Sequence, residues 1–271
     1  MRESQRRTKP VQYKKIIVEK KDRIAKITLN RPSDLNAIDK DTHLELQAAL
    51  KDIEDDPEAR VVVITGAGRA FCAGADLKYA ISLVDKPQEM AAFGQLFYDT
   101  YNMIEDLSKP VIASVNGMAL AGGIELLEAC DIAIASEDAR IGDQHATFGL
   151  IPGGGSTQRL PRQIPLKKAK ELLLTGDWIT AKEAEALGLV NKTVPADKLE
   201  EATMEMAQKL AERSPMASKA IKMLVNRGMQ VDLHTGLLLE KGALAAHAST
   251  EDRQEGFNAF LEKRKPNFPG R

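Results

Sequence analysis

The chain has 271 residues, 38 Lys and Arg against 39 Asp and Glu, and a formal net charge of −1. With 43 % hydrophobic and 4 % aromatic residues, this excludes a disordered chain and argues against a nucleic-acid binder that works through a basic field or stacking platforms. Its apolar runs, such as Val61-Val62-Val63-Ile64, fall far short of the roughly 20 residues of a membrane span, and two cysteines cannot make a disulfide framework, so no membrane contact and a cytoplasmic setting are expected, an organellar matrix being also compatible.

Residues 1–14 read as a basic, flexible tail: Arg2, Arg6, Arg7, Lys9 and Lys14 face only Glu3. No apolar run there reads as a secretory leader. Two β-prone runs, Ile16 to Glu19 and Ile24 to Leu29, joined by Lys20-Lys21-Asp22-Arg23, predict a hairpin. Between Asp39 and Asp55, Leu46, Leu50 and Ile53 recur at helical spacing, and Pro57 ends the helix. Arg60 to Thr65, Val111 to Val115 and Ile132 to Ala135 are buried-strand runs with helices between them, which predicts an α/β core. Phe93, Phe97 and Tyr101, with Tyr98 beside them, are spaced for one helix face, either as core packing or as a wall around an acyl group. Thr180 to Glu183 is a capping box, and Gly188 closes the helix it opens. Lys198 to Arg213, Ser214-Pro215 to Gly228, and Asp232 to about Ala248 are helical. A core over 15–205 is thus followed by a helical region over 206–271, which needs a partner surface.

Three segments join glycine to strand–helix junctions. They are Phe71-Cys72-Ala73-Gly74-Ala75-Asp76-Leu77, Asn116-Gly117 through Gly122-Gly123-Ile124-Glu125, and Gly149-Leu150-Ile151-Pro152-Gly153-Gly154-Gly155-Ser156-Thr157-Gln158. Amides freed in two such loops could converge on one oxygen as an oxyanion hole. A dinucleotide fingerprint is missing, because position 71 is Phe where a third glycine belongs, and there is no P-loop. Cys72 and Cys130 read as packing. His43, His234 and His247 fall at no metal spacing, so no metal is expected. Among Glu125 and its neighbours, Glu128 is the more natural surface residue.

Taken in order, these segments, with Asn30-Arg31-Pro32 and Asn36-Ala37 before them and Phe260-Leu261-Glu262-Lys263-Arg264 after, resemble the crotonase (enoyl-CoA hydratase/isomerase) superfamily over nearly the whole chain. The resemblance implies a crotonase-like spiral of β-β-α turns with a C-terminal helical trimerisation region, hence a homo-trimer or hexamer. It implies a coenzyme A thioester as substrate and no permanently bound cofactor. The thioester oxygen would accept from the amides of Ala75 and Gly122. Ala37, Ala73, Asp76, Leu77, Lys78, Phe260 and Lys263 would contact substrate or coenzyme A, and Glu125 would be the first catalytic glutamate.

The second catalytic glutamate of family hydratases lies seven residues before the proline of Ile-Pro-Gly. Here that position is His145, within Gly142-Asp143-Gln144-His145. Hydration needs a base for the water and an acid for Cα. Glu125 can be the base and His145, as imidazolium, the acid, a form that Asp143 would favour if it points inward. The same pair leaves isomerisation, hydrolysis and decarboxylation open. A non-catalytic acyl-CoA binder or an RNA binder are readings of another class. The single lysine, Lys78, on the helix after the first oxyanion loop counts against RNA.

Overall fold

The computed structural model describes residues 13–271. Most of the expected basic tail, residues 1–12, lies outside the described residues. Tyr13 packs against the core, and the amides of Lys14 and Lys15 donate to the Glu45 carboxylate. Strands β1 (Ile16–Lys21) and β2 (Ile24–Leu29) pair as the expected hairpin. Its two turn residues, Asp22 and Arg23, take left-handed φ of 51° and 68°, a twist that matches the flanking strands. Helix α1 (Lys40–Glu54) is capped by the Asp39 carboxylate, which accepts from the Thr42 amide. Its stripe of Leu46, Leu50 and Ile53 is fully buried.

Beyond α1 the chain repeats one unit. A long strand is followed by a short one and then by helix: β3 (Val61–Gly66), β4 (Ala70–Cys72), α2 (Leu77–Ile81) and α3 (Pro87–Asp106); then β5 (Val111–Val115), β6 (Met118–Leu120) and α4 (Gly122–Glu128); then β7 (Ile132–Ser136), β8 (Arg140–Gly142) and a short helical turn, His145–Phe148. Each unit gives its long strand to one sheet and its short strand to another. After α5 (Ser156–Gln163), α6 (Leu166–Thr175), β9 (Ile179–Thr180) and α7 (Ala181–Leu187), β10 (Lys192–Val194) returns to the first sheet. The result is a six-stranded sheet ordered β1-β2-β3-β5-β7-β10 and a four-stranded sheet ordered β4-β6-β8-β9. Both are parallel except at the β1–β2 and β8–β9 edges. A spiral of β-β-α turns is this arrangement.

Alternation along β3 shows why its apolar run is continuous. Val62 and Ile64 face the main core, while Val61 and Val63 pack with Ala207 and Ala211 of α8 (Leu199–Ala211). The expected division between residues 205 and 206 falls inside α8, which lies on the sheet. The remaining helices are α9 (Pro215–Gly228), α10 (Leu233–His247) and α11 (Glu251–Leu261). Lys222 ties α9 to the core through an ion pair with Asp131 at 2.8 Å. Asp252 of α11 accepts from the Ser214 hydroxyl at 2.5 Å. Helix α10 packs on α9 and has no buried residue; Leu233, Leu237 and Leu244 are exposed. Among the described residues no helix is long and apolar enough to cross a membrane.

Candidate active site

The floor of the site is the contact between the first and second glycine segments. Gly123 permits it: a Cβ there would stand 2.0 Å from the Cys72 carbonyl oxygen, so only glycine lets α4 lie against β4. Ala121, the cap of α4, takes φ of 50°, a conformation that costs an L-residue strain and turns the chain so that α4 begins at Gly122. On the facing loop Gly74 has φ of 89°, and a Cβ on it would meet the Gly122 nitrogen at 2.7 Å. The Ala75 and Gly122 segments therefore lie side by side. Neither amide donates to a protein acceptor among the described residues, as an oxyanion pair requires.

The first loop is held from below by residues 31–39. The Leu35 carbonyl accepts from Ala73, the Gly74 carbonyl accepts from Ile38, and the Ile38 carbonyl accepts from Asp76. Arg31 donates to the Ala37 carbonyl at 2.5 Å and pairs with Asp76 at 2.7 Å. This brings Ala37, Ala73, Ala75 and Asp76 together. The Asp76 carboxylate is committed to Arg31 and to capping α2 through the Tyr79 amide. Burial pushes its pKa up, but the Arg31 guanidinium and the amides outweigh burial and hold it below the usual range. Leu77 and Lys78 lie at the exposed start of α2, with the Lys78 ammonium 3.4 Å from Asp34. Phe260 and Lys263 stand at the exposed end of α11, which packs on α9 within its own chain.

Glu125 is 1 % exposed on α4. Its Oε1 accepts from the amides of Gly154 at 2.7 Å and Ser156 at 3.2 Å, which aims the carboxylate. Oε2 has no protein partner among the described residues. Burial raises the Glu125 pKa, and the charge of His145 and the two amides pull the other way. Position 154 must be glycine: a Cβ would meet the Tyr101 ring at 2.6 Å and Glu125 Oε2 at 2.9 Å.

His145 opens the helical turn after β8. Its Nδ1 lies 2.9 Å from Asp143 Oδ1, and its amide donates to the same oxygen. Asp143 is fully buried, so it does point inward, and its Oδ2 has no partner among the described residues. Burial alone would lower the His145 pKa; the hydrogen bond and charge of Asp143, with the charge of Glu125, outweigh it and raise the pKa. With Asp143 on Nδ1, Nε2 is the ring nitrogen without a protein partner among the described residues.

One expectation is overturned. Glu128 is not a surface residue but is 3 % exposed, because α5 folds back over α4 and the Ser156 hydroxyl reaches its carboxyl. Of the four aromatic residues, Phe93, Phe97 and Tyr101 are buried and Tyr98 is exposed, so the helix face is core. That core backs the site: Tyr101 donates to the Gly122 carbonyl at 2.6 Å, and the Phe97 ring lies against Gly122. Sequence reasoning did not assign Gly154 or Ser156 a part in holding the site, for which the run Gly153-Gly154-Gly155-Ser156 was the signal; Tyr101, read as core packing or an acyl wall, also braces Gly122. Cys72 and Cys130 are apolar-packed thiols, with burial raising both pKa values, Cys72 to about 12. Among the described residues no group of His, Cys, Asp or Glu is arranged to hold a metal ion.

The sequence pattern of the family described as enoyl-CoA hydratase/isomerase matches residues 19–271. The crotonyl-CoA hydratase of Syntrophomonas wolfei is 41 % identical over 257 residues, covering 94 % of this chain and 98 % of that protein. The short-chain-enoyl-CoA hydratase of Clostridium acetobutylicum is 43 % identical over 251 residues, covering 92 % and 95 %. A crystal structure of an enoyl-CoA hydratase from Bacillus anthracis superposes with a TM-score of 0.92 at 44 % identity, covering 95 % of this chain and all of that one.

Proposed function

The chain belongs to the enoyl-CoA hydratase/isomerase family, and from that premise we propose that it adds water across the 2,3 double bond of a short-chain enoyl-CoA, with Glu125 as base and His145 as acid. The observation that carries the reading is the complementary anchoring of the two side chains. Glu125 is gripped through Oε1 and open at Oε2; His145 is gripped through Nδ1 and open at Nε2. The likeness to relatives named as crotonyl-CoA and short-chain-enoyl-CoA hydratases supports the substrate class.

In the forward reaction Glu125 Oε2 takes a proton from water as its oxygen attacks C3. Negative charge moves to the thioester oxygen, where the amides of Ala75 and Gly122 receive it; each such donor is worth roughly 10²–10³ in rate. The His145 imidazolium then gives its Nε2 proton to Cα. One proton has moved onto Glu125 and one has left His145, so transfer between them restores the starting state. Ala37, Ala73 and Asp76 shape the loop under the thioester, and Leu77 and Lys78 line its exposed approach. Phe260 and Lys263, exposed at the end of α11, are proposed to contact coenzyme A in the assembled protein.

The exposed leucines of α10 support assembly as a homo-trimer or hexamer. The function is tested by incubating the protein with crotonyl-CoA and identifying the product: 3-hydroxybutyryl-CoA supports hydration, and its absence with binding intact contradicts it.

A further inference from the structure

One turn beyond Glu125 on α4, Glu128 carries a second buried carboxyl that the hydration chemistry does not use. Ser156 stands between the two. Its amide donates to Glu125 Oε1, and its hydroxyl lies 3.0 and 2.9 Å from the Glu128 oxygens. No other donor reaches the Glu128 side chain among the described residues. The charged groups around it are already engaged. Arg159 of α5 donates to Glu105, Asn102 and the Gly154 carbonyl; Lys222 of α9 is paired with Asp131; Asp143 holds His145. Arg162 and Arg213 line the cavity of about 800 Å³ beyond Glu128 without reaching its carboxyl.

Two buried carboxyls this close do not both ionise without a cation to pair them. Glu125 has two amide donors and the opposing His145, so it takes the charge. Burial, and then the charge of Glu125, raise the pKa of Glu128 well above the usual range, against the pull of Ser156 and Arg159. The loop that grips Glu125 is itself clamped at two points: Arg159 holds the Gly154 carbonyl at 2.6 Å, and Glu128 holds the Ser156 hydroxyl.

We propose that Glu128 is a positioning residue acting as a neutral carboxylic acid: through the Ser156 hydroxyl it keeps the Gly154 and Ser156 amides on Glu125 without placing a second negative charge beside that base. The kinetic part of the proposal rests on the reading of Glu125 as the base for hydration; the holding of its carboxylate does not.

The test uses the full chain with crotonyl-CoA. Glu128→Ala and Ser156→Ala each lower kcat about tenfold or more and leave KM within about twofold, because the loss is in aim and not in binding. Glu128→Gln, neutral and of the same shape, recovers most of what alanine loses. A second readout needs no substrate. In protein carrying ¹³C at the glutamate carboxyls, the Glu128 signal, assigned by its loss in Glu128→Gln, keeps its protonated shift at about pH 7, well above the ordinary carboxyl range. The Glu125 midpoint rises in Ser156→Ala, since loosened amides favour the ion less. A Glu128 signal that is ionised at that pH, a glutamine variant no better than alanine, or an unmoved Glu125 midpoint overturns the proposal. Wild-type protein that leaves crotonyl-CoA unchanged while both carboxyl signals behave as stated overturns the hydratase reading and leaves the positioning role standing.

Discussion

At position 145, where the family resemblance implies a second glutamate, the chain has a histidine, and the buried carboxyl two residues earlier holds its ring. Asp143 takes Nδ1, so the proton that matters is on Nε2, and the carboxylate outweighs the desolvation that would otherwise strip it. If His145 acts as an acid, activity is present below its pKa and is lost as pH rises through it. Asp143→Asn removes the raising influence and leaves the burial, so the alkaline limb of kcat against pH moves to lower pH. A profile that stays in place in a folded Asp143→Asn protein contradicts the role. His145 could be found from the sequence because the proline of Ile-Pro-Gly sets its register. Glu128 could not: its burial is decided by α5 folding over α4, a tertiary contact with no local signature.

At the scale of elements, α4 is the pivot. It carries Glu125 and Glu128 and starts at Gly122, the proposed oxyanion donor, and it can do so only where glycine lets it touch β4. Gly123→Ala drives a Cβ into the Cys72 carbonyl. It is expected to cost roughly 1–3 kcal/mol of stability, read as a lowered midpoint in denaturant, and to lower activity with it. A variant as stable and as active as wild type contradicts the packing argument. The long strands, α1, α7 and α9 were legible in the sequence, because each has a strong periodic run with a cap or stop: Asp39 before α1, the Thr180–Glu183 box before α7, Ser214-Pro215 before α9. Strands β4, β6 and β8 were not. Three residues each, they have too few positions to show alternation, and they exist because neighbouring turns of the spiral stack them. The helical appendage was expected from 206, yet α8 runs through that point, because its small Ala207 and Ala211 fit the face of β3.

For the whole molecule, a near-zero net charge suits a ligand held by backbone amides and a few local cations. The surface that stands out is apolar. Helix α10 leaves Leu233, Leu237 and Leu244 exposed and has no buried residue among the described residues. Scattering mass is expected to report three or six chains. Leu237→Glu combined with Leu244→Glu is expected to shift it to a smaller species; an unchanged mass would mean that α10 is not the contact. Phe260 and Lys263 lie far along the chain from Glu125 and on an exposed helix end, so the same variant is expected to raise KM for the coenzyme A ester more than it lowers kcat.

Glu125 and His145 are held to share the work of one hydration, and steady-state hydration of crotonyl-CoA by wild type, Glu125→Gln and His145→Ala tests this most directly. Wild type is expected to form 3-hydroxybutyryl-CoA, and each variant, folded and still binding the ester, is expected to lose roughly 10²–10⁴ in kcat. A His145→Ala enzyme as fast as wild type, or a Glu125→Gln enzyme that keeps its rate, would contradict it.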